Sequence, residues 1–190
     1  MERGFKSRCE EMSRSLRAEL GLDPAAPLPA EQLASYLGVY LWSVEDLGLD
    51  PADVRQLVHN DPDSWSAITV SASGLDAIIL NPNHRRGRYS SDVMHELAHL
   101  LLGHEPSTVF FAGQESLALR GFNKSAEDEA NWLAGALLLP RDALVKLRAK
   151  HCPKEVACDE FGVSRQMLEF RMRVTGVERQ FSRKRKTGAS

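Results

Sequence analysis

Only three cysteines, Cys9, Cys152 and Cys158, occur in the 190 residues. So sparse and odd a set cannot build the disulfide framework of a small secreted domain, and the thiols are expected to be free in a reducing cytoplasm. Cys152 and Cys158 lie six positions apart beside His151. That spacing is wider than the roughly two to four intervening residues usual in zinc pairs, which argues against a metal there. Long apolar runs are missing too. Leu100–Leu102 and Leu137–Leu139 fall far short of the roughly 20 residues that span a bilayer. The opening Met1–Lys6 leads into charges rather than an apolar segment, so no secretory signal is expected. Neither sign of charge dominates. Lys and Arg number 24 against 26 Asp and Glu, and the net charge of −2 excludes strong overall attraction to nucleic acid. What is present, 43% hydrophobic and 26% charged residues, is ordinary globular composition and excludes a disordered or collagen-like chain.

Hydrophobic spacing outlines the elements. Phe5, Cys9, Met12, Leu16 and Leu20 recur at helical spacing up to Gly21. After Pro24, Pro27 and Pro29, residues 30–37 read as a short helix ended by Gly38. Residues 39–42 read as a strand and 50–58 as another short helix. Residues 65–70 and 75–80, flanking Ser71-Ala72-Ser73-Gly74, read as a hairpin. The remainder is helical, with one helix from Ser90 or Ser91 to Gly103, another from Ser125 to Pro140, and more in the C-terminal third. The expected fold is α+β: a mainly helical core with a small three-stranded antiparallel sheet. The expected organisation is one main domain over 1–150 that includes the N-terminal helices, a helical hairpin over 151–176 and a basic, solvated tail over 177–190.

One motif carries chemistry. His95-Glu96-Leu97-Ala98-His99 matches H-E-x-x-H. Residues four apart project from one helix face, so both imidazoles can reach a single zinc ion, and Glu96 beside them is placed to act as general base toward a water. The flanking Leu97, Ala98 and Leu100–Leu102 make this helix apolar nearly all round and therefore buried. Buried histidines and a glutamate need a satisfying partner, and a metal supplies one.

A third ligand must come from elsewhere. His104 lies five residues beyond His99, about 140° around a continuing helix, and reads as an exposed residue at the helix C-terminus. The segment Ser125-Ala126-Glu127-Asp128-Glu129-Ala130-Asn131 offers carboxylates. Ser125 and Asp128 suggest a cap. Glu127 sits in the first turn, where the positive helix end favours an ionised carboxylate, and it shares a face with Ala130, Asn131 and Ala134. Glu129 is the competitor, on a face with Trp132, Leu133 and Ala136 that looks like core. The expected set is His95, His99 and Glu127 on zinc (Zn2+), with Asn131 hydrogen-bonding a liganding histidine from one turn on. Tyr89 and His84, just upstream of the helix, are candidates for stabilising an oxyanion.

Together, His95–His104 (H-E-L-A-H-L-L-L-G-H) and Glu127-x-Glu129-Ala130-Asn131-x-x-Ala134-x-x-Leu137-Leu138-x-Pro140 resemble the ImmA/IrrE-type metallopeptidases. Leu133 stands where that family usually has phenylalanine. The resemblance implies a zinc protease whose protein substrate is a helix-turn-helix transcriptional repressor, removed by cleavage.

One further pattern, Cys158-x-x-x-Gly162-Val163-Ser164-x-x-x-Leu168, resembles the turn of a helix-turn-helix. Arg171 is its misfit, since an apolar residue normally packs there. The overall charge makes nucleic acid an unexpected partner. The alternative to a protease is a non-proteolytic regulatory or DNA- or repressor-binding module that retains a zinc site. A weaker one is hydrolysis of something other than protein.

Overall fold

The computed structural model describes residues 1–60, 65–72, 74–84, 86–104 and 123–187. In chain order, helices α1 (Phe5–Glu19) and α2 (Ala30–Leu37) precede strand β1 (Tyr40–Ser43), a 3-10 turn (Val44–Leu47), α3 (Pro51–Arg55) and a π-helical turn (Gln56–Asn60). Strands β2 (Ala67–Ala72) and β3 (Leu75–Leu80) follow, then α4 (Arg86–Leu101), α5 (Lys124–Leu138), α6 (Arg141–Ala149), α7 (Lys154–Phe161), α8 (Arg165–Val174) and α9 (Val177–Thr187). The fold is α+β. Two compact units are present. One is Ala30–Asn131; the other joins Met1–Pro29 to the chain from Trp132 onward. Among the described residues, no helix is long and apolar enough to cross a membrane.

In the Ala30–Asn131 unit the sheet order is β1-β3-β2. The hairpin expected from the turn residues forms, with Thr69 opposite Ile78; Ser73 in its turn lies outside the described residues. The all-antiparallel expectation is corrected, because β1 pairs with β3 in parallel, Leu41 beside Ile78. Parallel neighbours need a long connection, and the chain between β1 and β3, which includes β2, supplies it. The unbroken apolar run Ala77-Ile78-Ile79-Leu80 fits this central position, since both faces of β3 are covered. Ile79 packs with Val44 and Val58, while α4 packs on β2, β3 and α2.

Helix α4 starts a turn earlier than its serines suggest. Ser91 is no cap, because its hydroxyl donates back to the Gly87 carbonyl inside the helix. Similarly, the start of α5 is capped by Asn123, whose Oδ1 accepts from the backbone N–H groups of Ser125 and Ala126. Ser125 therefore lies inside the first turn rather than at the cap.

In the other unit, buried donors collect the carbonyls at the end of α5, which have no partner within the helix. Ser13 Oγ donates to the Ala136 carbonyl, Arg17 Nη2 to that of Leu137 at 2.7 Å, and Arg171 Nε to that of Leu139. Both arginines are fully buried. Burial draws the Arg17 guanidinium down to about 10, so it stays charged at neutral pH. Arg171, the misfit of the hairpin motif, is thus a buried polar anchor, and its Nη2 also pairs with Glu10. The hairpin turn itself forms as the pattern suggests. Gly162 ends α7 at φ 61°, and Ser164 Oγ accepts from the Met167 N–H to start α8.

The solvated tail is a helix instead. Val177 is fully buried, Arg141 donates to Gln180, and the Arg148 guanidinium lies 5.5 Å from the Phe181 ring centroid. Those three contacts reward helix formation by a segment whose own apolar content is low. The side chains of its basic run from Arg183, and the expected tail end Gly188-Ala189-Ser190, lie outside the described residues.

Candidate metal centre

Helix α4 presents His95 and His99 one turn apart, and the first turn of α5 presents Glu127. Their donor atoms converge. His95 Nε2 is 3.0 Å from His99 Nε2 and 3.2 Å from Glu127 Oε2, and His99 Nε2 is 3.5 Å from Glu127 Oε1. Four tetrahedral ligands about 2.0–2.2 Å from an ion stand about 3.3–3.6 Å from one another. The donors are thus close enough to share one metal ion, with one Glu127 oxygen facing each histidine. The chemistry fits as well: two imidazoles and a carboxylate form a borderline-soft N2O set suited to zinc. The His99 side chain is 2% exposed, while those of His95 and Glu127 are each 23% exposed. The cluster is thus rooted in the core and open on one side.

Glu96 is 8% exposed, and Thr69 Oγ1 donates to its Oε2 at 2.5 Å. Thr69 is itself buried on β2, on the sheet face that meets α4. Sequence reasoning misses Thr69, because a lone threonine in a strand 27 residues from Glu96 carries no motif. A charge-assisted bond of this kind fixes the position of the carboxylate oxygen that accepts it.

The other candidates fall out differently. Asn131 is exposed and makes no side-chain hydrogen bond to a described residue, so the structure does not bring it to the histidines. His104, read as an exposed helix-end residue, is corrected. Its side chain is 16% exposed, with Nδ1 3.0 Å from His99 Nδ1 and Nε2 3.6 Å from Glu129 Oε2. The 140° estimate assumes a continuing helix, whereas α4 stops. Gly103 adopts φ 66°, its N–H bonds to the Leu100 carbonyl, and the His104 N–H reaches back to the His99 carbonyl. That reversal lays His104, three residues past Leu101, over the last turn. Glu129 meets His104 there, while Glu127 meets both motif histidines.

The His84 side chain is 4% exposed and bonds through Nδ1 to Asp92; its Nε2 has no hydrogen-bond partner among the described residues. Burial, with the Glu31 charge adding to it, pushes the Tyr89 phenol above its ordinary range, so it stays protonated. Neither His84 nor Tyr89 hydrogen-bonds to His95, Glu96 or His99.

No curated protein matches the chain. A family model does: peptidase M78, described as the IrrE N-terminal-like domain, matches residues 64–173. That span is more than half of the chain, and it contains both the histidine pair on α4 and the acidic start of α5. The chain belongs to the IrrE N-terminal-like, M78 peptidase family and has a metallopeptidase-type function.

Proposed function

We propose that the chain is a zinc-dependent metalloendopeptidase of the cytoplasm that cleaves a helix-turn-helix transcriptional repressor and so relieves repression. The convergence of three donors, from His95, His99 and Glu127, within 4.8 Å of one another carries the metal reading. The family resemblance of the two motifs supports the choice of substrate.

In this reading His95, His99 and Glu127 hold the zinc ion, leaving one side of the cluster open to water and substrate. Zinc bound there supplies Lewis acidity, polarising the scissile carbonyl and making a water more acidic. Glu96 takes a proton from the attacking water and passes it to the leaving amine. Thr69 keeps the Glu96 carboxylate in one rotamer. Burial of Glu96 and His99 limits competing bulk water around the base.

The test is cleavage of a purified candidate repressor by the metal-loaded protein. Glu96→Gln keeps the shape of the carboxylate but cannot accept the proton. It is expected to retain stoichiometric zinc while cleavage falls by at least about 10²-fold, the low end for a general base. Full cleavage by a folded, zinc-loaded Glu96→Gln protein would remove Glu96 from the mechanism. Tight binding of the repressor or its DNA without any cleavage would favour a non-proteolytic regulatory module instead.

A further inference from the structure

We infer that His104 and Glu129 form a positioning chain behind His99, so that the carboxylate of Glu129, through His104, fixes the tautomer and the ring orientation of a metal-binding histidine. The inference rests on the metal reading above and adds to it a role for two side chains outside the donor set.

Proton bookkeeping decides the arrangement. A histidine that gives its Nε2 lone pair to a metal carries its proton on Nδ1, and that N–H requires an acceptor. His99 Nδ1 is 3.0 Å from His104 Nδ1. For this contact to be a hydrogen bond, His104 Nδ1 must hold a lone pair, which places the His104 proton on Nε2. That proton then faces the Glu129 carboxylate, with Nε2 3.6 Å from Oε2. With the opposite tautomer of His104, two N–H groups would oppose each other across 3.0 Å and Glu129 would face a lone pair. One tautomer alone satisfies both contacts.

The backbone builds this arrangement. Gly103 in the left-handed region turns the chain so that the His104 N–H meets the His99 carbonyl at 3.0 Å. The residue pair brought together this way is usually apolar. Here it is two imidazoles set edge to face, with ring centroids 5.0 Å apart. His99 has 2% of its side chain exposed, so water cannot readily replace His104 as its partner. Spacing on α5 completes the chain. Glu127 and Glu129 lie two residues apart on different helix faces, so one carboxylate meets the donor cluster and the other meets His104.

The experiment measures zinc affinity by competition with a chromophoric chelator, using zinc alone as probe, for the wild type, His104→Leu, His104→Asn, Glu129→Gln and His99→Ala. Loss of the acceptor in His104→Leu should weaken zinc about 10- to 100-fold. In His104→Asn, Oδ1 takes the place of Nδ1, so affinity should return to within about threefold of wild type. Glu129→Gln should weaken zinc less than His104→Leu does. Wild-type affinity in His104→Leu, or equal losses in the Leu and Asn variants, would overturn the inference, because a purely structural helix-end role does not distinguish them. If His104→Leu does not fold, nitrogen-15 imidazole spectra of the zinc-loaded wild type decide. They should show the proton on Nδ1 of His99 and on Nε2 of His104, and the reverse tautomer of His104 overturns the proposal. His99→Ala separates the two levels. If it still holds stoichiometric zinc, the metal reading fails and this inference with it. If it loses zinc while both His104 variants bind normally, only this inference fails.

Discussion

Replacing Arg171 by methionine is the sharpest test of how the Trp132-onward unit is held together. The guanidinium is fully buried, donates to the Leu139 carbonyl at 3.1 Å and pairs with Glu10 at 2.5 Å. The Glu10 side chain is only 16% exposed. Its other oxygen accepts the Arg141 N–H at the start of α6. Methionine keeps most of the stem's packing but strands a largely buried carboxylate and leaves the Leu139 carbonyl without this donor. Breaking a buried pair from one side costs about 3–5 kcal/mol. In a protein of this size that corresponds to a melting temperature lower by about 6–20 °C. The pair as a whole is worth much less than that cost. Arg171 Nη1 has no hydrogen-bond partner among the described residues, so desolvation of the guanidinium is incompletely offset. Changing Glu10 to methionine in the Arg171→Met background should therefore recover stability, minus roughly 1 kcal/mol for the lost Arg141 cap. Urea unfolding of the two single variants and the double variant closes the cycle. A loss below about 1 kcal/mol in Arg171→Met, or a double variant as unstable as the sum of the singles, would refute this account of Arg171 as a paired buried anchor.

Two further expectations follow from the geometry. Thr69→Val, nearly isosteric, should retain zinc but lower kcat about 10- to 100-fold, because a hydrogen bond to a charged group contributes about 1.5–3 kcal/mol; an unchanged kcat would show that Glu96 needs no positioning by Thr69. The Asp142 carboxyl is held below its ordinary value of 3.8, first by the hydrogen bond from Arg14 and then, against the opposing effect of burial, by nearby positive charge. A depressed carboxylate stabilises the fold above its unfolded pKa and loses that contribution as pH falls through the folded one. The stability gap between wild type and Arg14→Gln should thus be constant from pH 5 to 8 and close below about pH 4. It should also be small, since Arg14 is 47% and Asp142 30% exposed. A gap that widens on acidification, measured by urea unfolding across this range, would contradict the pairing.

Local sequence determined the elements that local physics controls. Periodicity and turn residues marked α1, the hairpin of β2 and β3, and the α7–α8 turn at Gly162 and Ser164, because amphipathic spacing, left-handed glycines and caps act within a few residues. The H-E-x-x-H spacing placed His95 and His99 together for the same reason: four residues make about one helical turn. Charge at a helix start singled out Glu127, and its carboxylate lies against both imidazoles. Tertiary structure decided whatever depends on partners remote in sequence. That β1 runs parallel to β3 depends on which strand of the hairpin takes the central place, and strand hydrophobicity is silent on direction. Thr69 reaches Glu96, and Glu10 reaches Arg171 across 161 positions, only once separate elements pack. His104 is the instructive case. Extrapolating the helix turned it away from His99, whereas one glycine at φ 66° ends the helix and folds it back. Where a helix stops decides which side chains meet, and at that glycine a continuing helix and a reversal are both open to the backbone, so the choice falls to the packing around it.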